Sequence, residues 1–381
     1  MNKRKIDDKL FSLSQMLSNE KKWECIVHAS DFSRTKKILL HKNIDILDEY
    51  LFIKSFRVRL NKMQLCYLSN TSQVKFISSL SKASALMNVA RSILGAHQSR
   101  LSGRGQTIAF IDTGICKHCD FCLGENRLIV FKDFLNGKSD CYDDNGHGTF
   151  VAGVCCGNGA LSGGKYSGIA PQSKIISLKA LDKNGEASAD KILKAMEWVY
   201  DNHKEYNFKT VCMSFGSEPL GGNDPIMSGA DALWDEGVTV VAAAGNSGPE
   251  YQTIKSPGVS SRIITVGGFN DNRFDDKVDE HFFEIADFSS RGPAFRRYKP
   301  DLVAPAVDIT SCGNKKAYTC LSGTSVATPM IAGLCALMLE KEENLTPNEI
   351  KRRLLLSAKS ICFNRNLEGL GYPNLERILR G

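Results

Sequence analysis

Five short runs of almost unbroken apolar character leave this chain few folds to choose from. They are Thr107 to Ile111, Lys174 to Leu178, Thr210 to Met213, Val238 to Ala244 and Ile263 to Val266. Segments of helical period stand among them or follow: Ala189 to Tyr200, Met227 to Glu236 and Pro329 to Glu340. A strand with one wet face alternates polar and apolar residues, whereas a strand apolar throughout must be covered on both sides. Such strands alternating with helices predict an α/β domain with a mainly parallel central sheet between two helical layers. With 42% hydrophobic residues in 381, the chain has enough material for that core.

The first eighty residues have a different texture, rich in Lys and Ser and lacking both Gly and Pro. Trp23 to Ala29 reads as a strand, Ser33 to His41 as an amphipathic helix and Tyr50 to Leu60 as an alternating strand. Asn61 to Leu68 reads as a second helix and Gln73 to Leu80 as a last strand. The order β-α-β-α-β approximates a small split α+β, ferredoxin-like module. A boundary near residue 85 divides the chain into segments 1–85 and 86–381.

Other classes fall away on simple grounds. The longest apolar run, Met330 to Leu339, is half the length of a bilayer span, so no membrane partner is expected. The basic start Lys3-Arg4-Lys5 is followed by acids rather than by an apolar stretch, unlike a secretory leader. Thirteen cysteines in 381 residues are too sparse for a disulfide scaffold. Both observations favour a reducing, cytoplasmic setting, although a non-standard export route stays open. A net charge of +7 is spread over short clusters without interleaved aromatics, so nucleic acid is not an expected partner.

In sheets of this kind reactive groups gather at the carboxyl ends of the strands. Asp112 closes the first apolar run in Ile111-Asp112-Thr113-Gly114. His147 lies in Asp143-Asp144-Asn145-Gly146-His147-Gly148-Thr149. Ser325 lies in Leu321-Ser322-Gly323-Thr324-Ser325-Val326-Ala327-Thr328-Pro329, where a helix begins. A serine hydroxyl needs a base to take its proton as it attacks a carbonyl. An imidazole suits that task near neutrality, and a carboxylate can fix its tautomer and stabilise the imidazolium. Each motif alone reads as readily as a turn or a cap.

Taken together, in the order Asp, His, Ser, the motifs resemble the subtilase (subtilisin-like serine protease) family. Ala242-Ala243-Ala244-Gly245-Asn246-Ser247-Gly248 is similar to its oxyanion-hole segment, with Asn246 as side-chain donor beside the Ser325 N–H. Met213-Ser214-Phe215-Gly216 is similar to its substrate-pairing strand. Asp287 to Pro293 and Lys299 to Pro305 match two structural segments. The resemblance spans roughly Leu101 to Leu339 and implies a three-layer subtilisin-like domain. It implies a serine endopeptidase acting on polypeptides through an acyl-enzyme: Ser325 the nucleophile, His147 the general base and then acid, Asp112 the orienting carboxylate. Ser214, Phe215, Gly216, Ala243, Ala244 and Gly245 would line a pocket for an apolar or medium-sized side chain. The motifs come nearest to the intracellular bacterial branch. Phe150 stands where the family often has a second histidine, Val326 where it has methionine and Ala306 where it has glycine.

The resemblance further implies that segment 1–85 is a prodomain, an intramolecular inhibitor and folding aid removed by self-cleavage. Its tail, Ser78 to Leu86, would lie along the substrate strand. A permanent accessory domain is the alternative. Competing functions are a processing protease dedicated to one precursor, as in spore or peptide maturation, and a peptide binder without catalysis. No cofactor is required for the chemistry. Structural calcium is common in the family, and Asp140, Asp143, Asp144, Asp275, Asp276 and Asp279 could supply ligands or be solvated loop acids. Cys116, Cys119 and Cys122, with His118 among them and Cys141 beyond, have zinc-ligand chemistry, yet they form only one compact cluster, so reduced cysteines are the simpler reading. Cys155, Cys156, Cys212, Cys320 and Cys335 lie in apolar stretches and read as core thiols.

Overall fold

The computed structural model describes residues 2–7, 10–11, 14, 22–79, 87–97, 99–273 and 278–380. The chain divides into two compact units, Met1–Ala83 and Ser84–Gly381.

In the first unit the order is β1 (Trp23–Ala29), α1 (Phe32–His41), β2 (Asp45–Tyr50), β3 (Ser55–Leu60), α2 (Lys62–Ser69) and β4 (Val74–Ser79). The four strands form an antiparallel sheet in the order β2-β3-β1-β4. Alternate residues of β1 and β3, among them Cys25, Val27, Phe56, Val58 and Leu60, meet Leu39, Leu65 and Leu68 from the helices in a buried core. Both helices start on side-chain caps: Asp31 accepts from the Arg34 N–H, and Asn61 and Gln64 form a reciprocal capping box.

One sequence expectation is corrected here. Tyr50 to Leu60 is not a single strand but the end of β2, a turn and β3, which makes the module β-α-β-β-α-β. The residue that turns the chain is Lys54, in the left-handed region at φ 49°. No Gly, Asn or Pro marks that turn. The edge strand β2 (Asp-Ile-Leu-Asp-Glu-Tyr) is half acidic and has no buried residue, so its period is hidden.

The second unit is built on a sheet of eight strands. Its strands are β5 (Thr107–Asp112), β6 (Leu128–Asp133), β7 (Lys174–Lys179), β8 (Thr210–Met213), β9 (Thr239–Ala243), β10 (Ile264–Asn270), β11 (Glu284–Ile285) and β12 (Leu302–Pro305). The order is β11-β10-β9-β8-β5-β7-β6, with β12 also paired to β10. Every pairing is parallel except β10 with β11. A separate hairpin, β13 (Ile309–Cys312) and β14 (Tyr318–Leu321), leads to the serine segment.

Helices of this unit include α3 (His147–Cys156), α4 (Pro225–Asp235) and α5 (Thr324–Lys341), of which α3 and α5 carry candidate site residues. Helix α5 is buried from Val326 to Leu339. A helix apolar all round belongs in the middle of a domain, and α5 touches β8, β9, β10 and β12 as well as α3. It begins at Thr324, one residue before Ser325, where a helix was expected to begin, and runs through Pro329. Pro329 lacks the N–H that would otherwise reach back four residues to the Ser325 carbonyl. Among the described residues no helix is long and apolar enough to cross a membrane.

Candidate active site

Asp112 is the last residue of β5, its side chain 2% exposed. Its Oδ1 accepts from the Thr113 N–H at 2.7 Å and lies 2.8 Å from His147 Nδ1. A carboxylate can only accept, so the ring proton sits on Nδ1 and Nε2 keeps its lone pair. Asp112 Oδ2 is buried without a partner.

His147 opens α3, and two glycines bring that helix onto the loop after Asp112. A Cβ on Gly148 would stand 2.2 Å from the Gly114 carbonyl oxygen, so the contact is possible only without a side chain. The joint is tightened by Asp143. Its Oδ1 accepts from the Thr113 hydroxyl (2.9 Å) and the Asn145 and Gly146 N–H groups (3.2 and 2.7 Å). Its Oδ2 accepts from the Thr149 N–H and hydroxyl (2.8 and 2.7 Å). The Thr113 hydroxyl in turn accepts from the Gly148 N–H. Burial works against a charged His147 ring, but the charge and hydrogen bond of Asp112, helped by the charge of Asp143, outweigh it. The imidazole is therefore held above its ordinary value of 6.5.

Ser325 is the second residue of α5, so its N–H has no intrahelical partner. Asn246 follows β9, and its Oδ1 accepts from the Thr324 N–H (2.9 Å) and hydroxyl (3.0 Å). Those two bonds fix the carboxamide with Nδ2 turned away from Thr324. A Cβ built on Gly323 would lie 3.2 Å from both Asn246 Nδ2 and Ser325 Oγ, so the two groups border one small space. Gly323 itself, at φ 154° and ψ 160°, occupies a region open to little but glycine.

The structure thus brings together Asp112 with His147, and Asn246 with Ser325. It does not close the link between the pairs, because the ring's described hydrogen bonds include none to Ser325 Oγ. In enzymes without substrate such bonds are often long and tighten only in the complex. Ser214, Phe215 and Gly216 continue past the end of β8, and Ala244 and Gly245 past Ala243 at the end of β9. These are carboxyl ends of neighbouring parallel strands.

Two functional contributions escaped the sequence reading. Asp143, offered there as a possible calcium ligand or a solvated loop acid, has both oxygens filled by five donors. Lys179, fully buried at the end of β7 opposite Asp112, donates to the Thr113 and Leu181 carbonyls and pairs with Asp144 at 2.7 Å. The pattern of a charged residue ending an otherwise apolar strand was the available signal.

The proposed metal ligands do not gather. Among the described residues Asp140, Asp143, Asp144 and Asp279 form no common cluster, and Asp275 and Asp276 lie outside them. Cys116, Cys119, Cys122 and Cys141 form no such group either. The described metal-capable group is His118, Asp120 and Cys312, with donor atoms within 4.8 Å. Its lone pairs are occupied: His118 Nδ1 accepts from the Asp120 N–H, and Asp120 accepts from the Tyr318 hydroxyl, the Gly159 and Leu161 N–H groups and the Cys312 thiol. Cys155, Cys156, Cys212 and Cys335 are core thiols, but Cys320 is exposed, because the two-stranded β13–β14 hairpin turns that position outward.

The chain is similar to known proteins over most of its length. The pattern of the family described as "Subtilase family" matches residues 103–377. The chain is 35% identical to "Serine protease AprX" of Bacillus subtilis (strain 168), over 85% of this chain and 80% of that one. It is 28% identical to "Thermostable alkaline protease" of Halalkalibacterium halodurans, over 94% and 90%. Among solved structures, "S41 Psychrophilic Protease" superposes with a TM-score of 0.66 at 28% identity, over 77% of this chain and 99% of that one. "Sphericase" gives 0.64 at 26%, over 75% and 96%.

Proposed function

Because the chain belongs to the subtilase family and is a subtilisin-like serine endopeptidase, we propose that Asp112, His147 and Ser325 act as one catalytic unit. Polypeptides are its substrates, and the chemistry calls for no cofactor. In this reading the substrate carbonyl enters the space bordered by Asn246 Nδ2 and Ser325 Oγ. His147 Nε2, left as an acceptor by the Asp112 bond, takes the hydroxyl proton as Oγ attacks. Negative charge growing on the carbonyl oxygen meets the Asn246 amide and the Ser325 N–H, both already oriented. The imidazolium then protonates the departing amine, and a water activated by the same ring releases the acyl group. The observation that carries this reading is the 2.8 Å Asp112–His147 bond, which fixes the tautomer a base needs.

A fluorophosphonate probe tests it. Stoichiometric labelling that maps to Ser325 is expected, and an unlabelled Ser325 would leave only a peptide-binding cleft. The orienting bonds from Thr324 also predict what Asn246→Leu does: kcat falls roughly 10²–10³-fold with KM little changed, the size of loss that deleting such a donor has in subtilisin. A loss below tenfold in steady-state kinetics would remove Asn246 from the oxyanion site.

Segment 1–85 is proposed to be a self-cleaved inhibitory prodomain. Its support is that Met1–Ala83 forms its own compact unit with its own core, and that β4 is an edge strand. Leu80 to Leu86, the end of the expected inhibitory tail, lies outside the described residues. A reducing, cytoplasmic setting is part of the same proposal and is supported by thirteen cysteines that are all free thiols.

A further inference from the structure

A lysine side chain lies against both of the segments expected to line the substrate pocket, beside Ser290 Oγ at the second. A Cβ built on Gly216 would stand 2.6 Å from Lys255 Cβ and 3.2 Å from its Cγ. One built on Gly245 would stand 2.5 Å from Lys255 Cγ and 3.3 Å from its Cβ. The lysine stem therefore runs between the segment after β8 and the segment after β9, filling the gap that both glycines leave. Its backbone is fixed there as well: the Lys255 N–H donates to the Ala244 carbonyl, and next to it Ser256 and Ser217 exchange two bonds of 2.9 Å. Gly245 directly precedes Asn246, so this lysine belongs to the pocket nearest the oxyanion amide. In the peptidase reading, with the scissile carbonyl at Asn246, that pocket receives the side chain immediately before the cleaved bond.

The charge at its end is provisionally paired. Lys255 Nζ bonds to Glu218 Oε1. The two partners differ sharply, since the lysine side chain is 19% exposed and that of Glu218 is 79% exposed. A carboxylate so fully in water contributes little through its ion pair and is readily exchanged. The lysine, held by packing along its stem, cannot follow it out. An incoming carboxylate of the right reach would displace Glu218 and meet a cation already in place, whereas an incoming lysine or arginine would meet like charge.

Resting on the peptidase reading above, we propose that Lys255 makes this enzyme prefer glutamate, and next aspartate, immediately before the scissile bond. This replaces the expectation of an apolar pocket. Lys255 is a specificity residue, which the substrate carboxylate contacts directly, and Glu218 is its resting counter-ion.

The test is a series acetyl-Ala-Ala-Ala-Xaa-p-nitroanilide with Xaa Glu, Asp, Phe, Leu or Lys, run on the active enzyme and two variants. In the wild type kcat/KM is expected to be highest for Glu and at least about 30-fold lower for Lys. Lys255→Met should lower the Glu-to-Phe ratio by about 30-fold or more. Glu218→Gln, a change at an exposed side chain, should raise kcat/KM for Glu by up to about fivefold. A wild type that prefers Phe or Leu to Glu, or a ratio unmoved by Lys255→Met, overturns the inference. Fluorophosphonate labelling of Ser325 in the same samples separates the two failures. Labelled enzyme without a Glu preference sinks the specificity claim alone, and unlabelled enzyme sinks the catalytic reading on which it rests.

Discussion

Replacing Ser325 with alanine is expected to lower kcat for peptide hydrolysis by about 10⁶-fold, some 8 kcal/mol of transition-state stabilisation. The residual rate would come from binding and from oxyanion donors that the substitution leaves in place: the Asn246 amide stays oriented by Thr324, and the residue 325 N–H still opens α5. The same variant decides how segment 1–85 is removed. Intact-mass measurement should show wild-type protein shortened at its N-terminus and Ser325→Ala as the full 381-residue chain. Shortening that persists in the variant would assign the cut to another protease and end the self-processing proposal.

The second large effect concerns Asp112. Truncation to alanine removes both the anchor of the His147 ring and the charge that stabilises its protonated form, and kcat should fall about 10⁴-fold. Asparagine separates those two roles. Both structural bonds of Asp112 end on the same oxygen, Oδ1, while Oδ2 has no partner. An asparagine that keeps its oxygen there retains the ring tautomer and loses only the charge. In the wild type, kcat/KM should rise with pH as His147 gives up its proton, with an inflection above 6.5, because Asp112 and Asp143 hold the imidazole up against its burial. In Asp112→Asn burial gains the upper hand and the inflection should move down. A wild-type profile flat between pH 6 and 8 would dismiss His147 as the base, and an unmoved inflection in the variant would dismiss Asp112 as the source of the shift.

Much of the catalytic domain was legible because its strands are buried on both faces and its helices are punctuated. Thr107 to Asp112 or Val238 to Ala244 can hardly be anything but central strands. The motifs also led directly to the Asp112–His147 contact and to the Asn246–Ser325 neighbourhood, since glycines at 114, 148 and 323 mark where backbone or reacting groups crowd together. What stayed hidden shares a physical cause. β2 is an edge strand whose acids face water, and its turn is made by Lys54 at a conformation lysine rarely takes. Asp143 read as a possible calcium ligand or a solvated loop acid and Lys255 drew no reading, because what each does depends on loops brought together from distant parts of the chain.

Helix α5 carries a consequence of its own. The serine proposed as nucleophile stands at the start of a helix buried from Val326 to Leu339 against the sheet and α3, and segments so enclosed open only when the whole domain does. The body of the helix that carries Ser325 therefore stays in place while the rest of the fold persists. Heat inactivation and global unfolding therefore merge into one event, and the working lifetime of this protease is set by how rarely its centre comes apart.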